Sequence, residues 1–169
     1  PALSIVLILL VCQFGQAQLP QYNAQVFGAE QGLDAGSISV VFKDKHQFLW
    51  VVSDGIVQRF DGRNVLKYNF EKAVTQGLCD SDNRIWLLSG QKIWRSIADR
   101  WGFEEVSVDT ATMGLPCAIF QLEGQPLSTL TKKGYFAWDE KSGTFQRINT
   151  PLPPALSPIP YSRFDVCGT

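Results

Sequence analysis

The acidic residues that precede two tryptophans are the side chains whose types and spacing come nearest to a chemical site. Asp80 and Asp82 lie six and four residues before Trp86, and Asp44 lies six residues before Trp50. Paired carboxylates can act as general acid and general base, and sialidase repeats also carry an acid close to an aromatic residue. The sialidase repeat places its acid and a glycine at other distances from that aromatic residue. The spacing therefore excludes a sialidase motif.

The same stretch begins like a calcium loop, because Asp80-Ser-Asp82-Asn83 offers oxygen atoms at alternate positions. The glycine and the distant bidentate glutamate of such a loop are absent, and Arg84 would bring a positive charge into the site. A turn whose Asp side chains bond to their own backbone is the simpler interpretation. The sequence therefore predicts no metal ligand and no cofactor.

The remaining polar candidates have structural interpretations as well. His46, the single histidine, has no neighbouring base or further ligand to make a catalytic or metal site. Arg59 and Asp61 are interpreted as a pair that locks a turn, and Lys132-Lys133 as a solvated turn. Trp50 and Trp86 would have to be exposed to stack under a sugar, whereas their repeat position predicts burial. We predict no catalytic residue, and the sequence does not locate a ligand-binding site.

These residues belong to a repeat. Trp86 follows Trp50 by 36 residues, and Asp80 matches Asp44 at the same distance. A third copy lies 42 residues further on, with Ser128 in place of the tryptophan. Each copy consists of short β-branched and aromatic runs separated by Asp, Gly and Asn, which is typical of four-stranded propeller blades. The repeat positions to which we assign a structural role are Trp50, Trp86, Asp44, Asp80, Asp61 and Gly62.

The predicted fold is all-β, a partial β-propeller of four-stranded antiparallel blades, with about three and a half blades present. A strand over 21–28 is expected to complete a blade outside this sequence, the proline-rich residues 150–160 to connect blades, and residues 161–166 to open a fourth. The predicted strands of the three blades are 36–43, 47–53, 56–60 and 64–70; 74–79, 84–88, 92–97 and 103–108; and 116–122, 126–131, 134–139 and 144–149.

The pattern resembles the two-component regulator propeller repeat, closely over residues 32–68 and more weakly over 74–96 and 115–148. That family usually has a small residue where this chain has Val51-Val52-Ser53. The residues that carry the resemblance are Gly32-Leu33, Ile38 to Phe42, Asp44-Lys45, Phe48-Leu49-Trp50, Asp54-Gly55, Arg59-Phe60-Asp61-Gly62 and Tyr68. The resemblance implies the periplasmic sensor region of a bacterial two-component system.

Residues 1–17 read as a secretory signal whose basic start is missing, because an apolar run over 2–12 precedes small residues at the cleavage positions. Cleavage is expected between Ala17 and Gln18, and lipidation at Cys12 is the alternative. Residues 18–169 are then the amino-terminal part of the propeller, too short to close a ring of at least four blades. Cys79, Cys117 and Cys167 remain, either as free thiols or as one disulfide with a leftover thiol.

A net charge of −1 indicates no basic face for nucleic acid. The sequence and the resemblance together predict a non-catalytic, extracytoplasmic ligand-sensing propeller, in a full-length protein anchored in the inner membrane. The resemblance implies polysaccharide fragments as ligands. The remaining blades of the same chain are expected partners, and a homodimer is an open alternative. A secreted propeller hydrolase or lyase and a protein-interaction scaffold are the alternative functions.

Overall fold

In the part of the chain that the structure describes, three antiparallel sheets of four strands each make up the fold. The computed structural model describes residues 26–34, 36–98 and 100–149. Each sheet is a meander of consecutive strands, which confirms the predicted propeller blades. Blade one contains β1 (Ile38–Lys43), β2 (Leu49–Ser53), β3 (Ile56–Phe60) and β4 (Val65–Tyr68); blade two contains β5 (Val74–Cys79), β6 (Ile85–Ser89), β7 (Lys92–Ser96) and β8 (Phe103–Val106); blade three contains β9 (Pro116–Phe120), β10 (Ser128–Thr131), β11 (Gly134–Asp139) and β12 (Thr144–Arg147).

The blades pack face to face: β1 lies against β5, and β9 lies against β5 and β6. Every observed strand lies within two residues of its predicted bounds at each end. The outer strands β4, β8 and β12 are each four residues long and shorter than predicted, as are β1, β2, β9 and β10. The predicted opening of a fourth blade, residues 161–166, lies outside the described residues.

The second strand of blade two shows why these sequences form stacked sheets. All five residues of β6 are buried, which requires an apolar layer on both faces of the sheet. Ile85 and Leu87 pack into the core shared with blade one. Trp86 and Leu88 belong to the core shared with blade three. Because successive side chains of a strand point to opposite faces of the sheet, β6 contributes side chains to both neighbouring cores.

The core between blades one and two is built on Trp50, which is 5% exposed. Its ring stacks on Phe42 and Tyr68, with centroids 6.2 and 5.9 Å apart, and meets the edge of Phe103 at 6.1 Å. In the next core Trp86, at 0% exposure, meets Trp138 edge-on at 5.2 Å. The repeat thus places its two tryptophans at equivalent positions in successive cores.

The face of blade one that points away from blade two is covered by residues 26–34. Phe27 meets Phe60 edge-on at 5.2 Å, and Leu33 is buried against Val51 and Phe60. Gln58 ties this segment down, accepting a hydrogen bond from the Asp34 backbone N–H at 2.7 Å. The predicted strand over 21–28 is wrong for residues 26–28, which lie in no strand; the rest of it lies outside the described residues. A short 3-10 turn, Ala29–Gln31, follows instead.

A short helix, α1 (Thr110–Met113), lies between blades two and three and was not predicted. Asp109 caps it, accepting hydrogen bonds from the backbone N–H groups of Ala111 and Thr112. One turn shows no helical periodicity in sequence, so only the cap could have indicated it. Met113 is buried in the core between the two blades.

The hairpin turns follow the predicted chemistry. Asp54 and Gly55 have φ values of 49° and 80°, as a two-residue hairpin turn requires. At the outer turn of blade one, Gly62 has a φ of 98°. Asp61 accepts hydrogen bonds there from the backbone N–H groups of Arg63 and Asn64, at 2.8 and 2.6 Å, which lower the pKa of its carboxyl group. The interpretation that Arg59 locks this turn is wrong, because backbone donors hold Asp61.

The cysteines differ in state. Cys79 is a half-buried free thiol, and burial raises its pKa. Cys117 is disulfide-bonded, to a partner outside the described residues. Of the two predicted alternatives, free thiols throughout is therefore wrong for Cys117, whereas Cys79 is a free thiol.

Candidate ligand-binding cleft

A cleft of about 710 Å³ opens between blades one and two, on the side where β1 turns into β2 and β7 into β8. It lies in the size range of small-molecule sites. Blade one supplies the turn that follows β1 and the end of β3. Blade two supplies the turn that follows β5 and residues 97–98 and 100–102, and blade three supplies Glu140. Its polar and aromatic lining includes Asp44, His46, Phe48, Arg59, Tyr68, Arg84, Arg95, Trp101, Glu104 and Glu140.

The floor of the cleft is formed by an aspartate turn that occurs twice. Asp44 accepts hydrogen bonds from the backbone N–H groups of His46 and Phe48, at 2.9 and 3.0 Å, and from Trp50 Nε1 at 2.9 Å. Asp80 makes the equivalent bonds one blade later, with Trp86 Nε1 at 2.7 Å. Each carboxylate is thereby turned toward its own tryptophan and backbone, so the geometry gives both aspartates a structural task.

The two turns are also tied to each other across the blade junction. The Lys45 backbone N–H donates to Asn83 Oδ1 at 2.7 Å, and Lys45 Nζ donates to the carbonyl oxygen of Ser81. Asn83 can bring its side chain there because it sits at a φ of 65°; Gln47, its repeat equivalent, has 67°. These contacts fix the distance between the two sides of the cleft floor.

Arg59 lies deep in the cleft and is 7% exposed. Its Cζ atom lies 3.7 Å from the ring centroid of Trp101 and 4.5 Å from that of Phe48, which is cation–π geometry. Its buried Nε has no hydrogen-bond partner. Among the described residues, no carboxylate lies within 4.0 Å of this guanidinium.

Two arginines on the blade-two side of the cleft, Arg84 and Arg95, are neutralised by carboxylates. Arg84 pairs with Asp80, Asp82 and Glu140 at 2.8, 2.9 and 2.6 Å. Burial alone would lower the pKa of Arg84, but the hydrogen bonds to Glu140 and Asp80 outweigh it, so the pKa is raised. Arg95 pairs with Glu104 at 2.6 Å. These ion pairs link the charged side chains on this side of the cleft to one another.

Aromatic rings form the inner wall. Tyr68 meets Phe103 edge-on at 5.1 Å and stacks on Trp50. Burial raises the pKa of the Tyr68 hydroxyl, and the nearby positive charge of Arg59 opposes that shift. Tyr68 therefore stays protonated at neutral pH and can donate a hydrogen bond.

His46 lines the cleft, but its nearest ring neighbour is Phe48, at a centroid distance of 6.1 Å. The described residues contain no group of three His, Cys, Asp or Glu side chains placed to hold a metal ion. Lys133, of the predicted surface turn, donates to the Ala111 carbonyl oxygen at 2.5 Å and lies in blade three. Of the sequence candidates, the structure brings five to one cleft: Asp44, His46, Trp50, Arg59 and Asp82. Asp61, Asp80, Trp86 and Lys132-Lys133 do not line it.

Sequence reasoning missed the grouping of Phe48, Arg59 and Trp101. Trp101 comes from a loop 42 residues after Arg59, so no local pattern joins them. One signal was present in the sequence: Arg95 follows Arg59 by 36 residues and thus occupies its repeat position. An arginine at the same position of two successive β3-type strands could have marked both blade junctions.

Comparison with known proteins supports the fold. No family model matches the chain, and no curated protein matches it significantly. A structure described as the extracellular domain of the hybrid two component system BT3049 from B. thetaiotaomicron matches with a TM-score of 0.59 and 19% identity, over 80% of this chain and 20% of that chain. The corresponding domain of BT4673 from the same organism matches with a TM-score of 0.58 and 20% identity, over 80% and 19%.

A second structure of BT4673, described as part of a one component system, matches with a TM-score of 0.58 and 18% identity, over 75% of this chain and 18% of that chain. The chain thus spans about a fifth of the length of the solved structures it matches. At these identities the likeness concerns the fold. The neighbours are extracellular domains of the kind that the repeat resemblance predicts.

Proposed function

We propose that this chain forms the first blades of an extracytoplasmic sensor region in a bacterial signal-transduction protein, and that it binds a ligand without transforming it. The fold match to extracellular domains of one- and two-component systems over 75–80% of the chain carries this proposal. A polysaccharide fragment is the ligand class that the repeat resemblance implies. The output region, a kinase or a DNA-binding regulator, would lie elsewhere in the full-length protein.

The chemistry of the cleft supports binding rather than catalysis. Its carboxylates are already engaged: Asp44 accepts three N–H donors, and Asp82, Glu104 and Glu140 pair with arginines. A general acid or base has to exchange protons with a substrate, usually at a shifted pKa near the working pH. The pKa of Glu140 is instead lowered, by hydrogen bonds from Arg84 and Trp138, so this group stays ionised.

Localisation follows from the same proposal. The signal at residues 1–17 would direct the chain across the inner membrane, and the mature chain would begin at Gln18. Within the described residues no helix is long and apolar enough to cross a bilayer. Amino-terminal sequencing of the exported protein checks the cleavage site, and a lipid-modified Cys12 at the start would indicate an anchor at that end instead.

A transcriptional response is the direct test of the sensor function. The full-length gene is deleted and restored in its host, and cells are moved to single polysaccharides as carbon sources while genome-wide transcripts are measured. We expect one polysaccharide to induce a gene set that requires the restored gene. Purified protein incubated with that polysaccharide should release no shorter or unsaturated products, as measured by chromatography and absorbance.

The two readouts separate the alternatives. Product release by the purified protein would overturn the binding-only proposal in favour of a hydrolase or lyase. A transcript profile unchanged by deletion on every polysaccharide would reject the carbohydrate-sensor proposal and leave the protein-interaction scaffold.

A further inference from the structure

We propose that the cleft between blades one and two binds an acidic saccharide, through an ion pair between the ligand's carboxylate or sulfate group and Arg59. This inference rests on the proposed sensor function and names the ligand class and the site. It starts from one observation, a cation that is more than nine-tenths buried, lines an open cleft and has no counter-ion among the described residues.

The chain provides its own comparison, because Arg59 and Arg95 occupy the same repeat position. In blade two, Arg95 on β7 faces Glu104 on β8 across the sheet, and the two side chains pair at 2.6 Å. In blade one, Arg59 on β3 faces Leu66 on β4. Directly opposed side chains are the ones that can pair across strands. Blade one therefore lacks the acid that neutralises the equivalent arginine.

The surroundings of Arg59 do not replace that acid. Phe48 stands where blade two has Arg84, and with Trp101 it contacts the guanidinium group through an aromatic ring. Such contacts stabilise the cation but accept no N–H hydrogen bond in the guanidinium plane. The N–H donors of the Arg59 guanidinium group lie in one plane and are not occupied by an acid. A carboxylate or a sulfate can accept two hydrogen bonds from such a group.

The charge balance of the cleft points the same way. Arg84 and Arg95 are paired with Asp82, Glu140 and Glu104. The remaining acid, Asp44, is 6% exposed and its oxygens accept three N–H donors. Arg100 also lines the cleft and makes no ion pair among the described residues. An anionic ligand would therefore find unpaired positive charge at Arg59 and Arg100.

The sugar part of the ligand is argued from Trp101. It contacts Arg59, yet it is 71% exposed at the mouth of the cleft. An exposed indole is a large apolar surface with a polar edge, which can stack on the C–H face of a sugar ring. The volume of about 710 Å³ leaves room for more than one ring. A saccharide whose acidic group reaches Arg59 would use both features.

The test adds the missing acid instead of removing the arginine. Leu66→Glu restores on blade one the pair that Glu104 makes on blade two, and Leu66→Gln is its uncharged control at a position that is 39% exposed. Calorimetric titrations use trigalacturonate, a sulfated chondroitin disaccharide and neutral maltotriose as probes. Arg59→Gln is measured in parallel, with circular dichroism and thermal unfolding to show that every variant is folded.

For the unmodified protein we expect an acidic probe to bind roughly tenfold or more tightly than maltotriose. Leu66→Glu should weaken that binding by about tenfold or more, as should Arg59→Gln, whereas Leu66→Gln should stay within about twofold.

Three results would overturn the proposal: equal affinity for all three probes, equal affinity of Leu66→Glu and Leu66→Gln for the acidic probe, or no binding of either acidic probe at about 10 mM. The proposed function is judged separately. If Leu66→Glu abolishes acidic-probe binding but the transcriptional response to a neutral polysaccharide persists, the sensor function stands and its ligand binds another surface.

Discussion

At the scale of single residues, Trp50 and Trp86 join the turns to the cores. Each indole fills a blade junction while its N–H group donates to the aspartate that closes the preceding turn. Blade three has Ser128 at this position. Its Trp138, from β11, packs into the core that Trp86 already fills, and Trp138 Nε1 donates to Glu140 at 2.8 Å. Blade three therefore contributes a tryptophan to the junction with blade two, and none from the repeat position of Trp50 and Trp86.

Truncating Trp50 should separate these two tasks. Trp50→Ala is expected to lower the free energy of unfolding by about 3–5 kcal/mol, because it empties a core site. Trp50→Phe keeps most of the apolar volume but leaves Asp44 Oδ2 without its 2.9 Å donor, for a loss of about 1–3 kcal/mol. Urea unfolding of the variants measures both.

The exposed Trp101 is the matched control, since Trp101→Phe should change stability by less than about 0.5 kcal/mol. A Trp50→Ala protein as stable as the unmodified one would contradict the burial of Trp50.

Glu140 gives a pH-dependent prediction. Hydrogen bonds from Arg84 and Trp138 hold its pKa below the ordinary value of 4.5, so its contribution to stability is complete above about pH 4.5 and is lost as the pH falls through the lowered pKa. Glu140→Gln should therefore lower the thermal midpoint at pH 7, and its difference from the unmodified protein should shrink as the pH falls below 4.5. Thermal scans across that range check this, and a constant difference at every pH would contradict it.

At the scale of elements, the blades could be predicted closely because their signals are local. Asp54-Gly55 and Asp61-Gly62 favour turns at defined positions. Because the segments between the turns are short, the first and last residues of each strand can be predicted closely. The helix α1 could not be predicted, since a single turn has no periodicity. The cleft could not be predicted either, because Phe48, Arg59 and Trp101 meet only when two blades pack.

A glycine in the β2–β3 hairpin shows how tightly one blade fits the next. A Cβ atom at Gly55 would lie 2.7 Å from Ala73 Cβ and 2.9 Å from Ala73 Cα, just before β5. Gly55→Ala should cost the left-handed backbone penalty of about 1–2 kcal/mol and about 1–3 kcal/mol more for the clash. Chemical denaturation of the variant measures the sum.

Gly143 is the control for backbone conformation alone. It also has a positive φ, of 63°, but a Cβ atom there would meet no atom within 4 Å. Gly143→Ala should therefore show only the first penalty. If both substitutions lowered the free energy of unfolding by the same amount, the backbone around Ala73 in blade two would have moved to make room for the added Cβ atom.

At the scale of the whole molecule, the blades form an arc with open inner strands. Among the described residues, β1 lies against β5 on one side, and its Ile38 and Val41 remain 56% exposed. Residues 26–34 cover the outward face of blade one. The sequence predicts the arc of blades but not that cover, because it predicts a strand over 21–28.

These exposed apolar side chains lead to a prediction about self-association. Open strand edges and exposed apolar faces pair with further chains, so the isolated segment 18–169 should form oligomers or precipitate, whereas a protein extended by further blades should be monodisperse. Light scattering on both proteins decides between them. A stable monomer of 18–169 would show that this arc needs no additional blades.

The position of Trp101 also gives the protein an intrinsic optical reporter. Of its five tryptophans, Trp101 is 71% exposed, whereas Trp50, Trp86 and Trp138 are 8% exposed or less. Dissolved iodide should therefore quench mainly the emission of Trp101, and the positive charge of Arg59, 3.7 Å from that ring, should draw iodide closer than an uncharged quencher such as acrylamide. A ligand in the cleft would shield the Trp101 indole from iodide. Ligand binding can therefore be followed as a decrease in iodide quenching of the unlabelled protein.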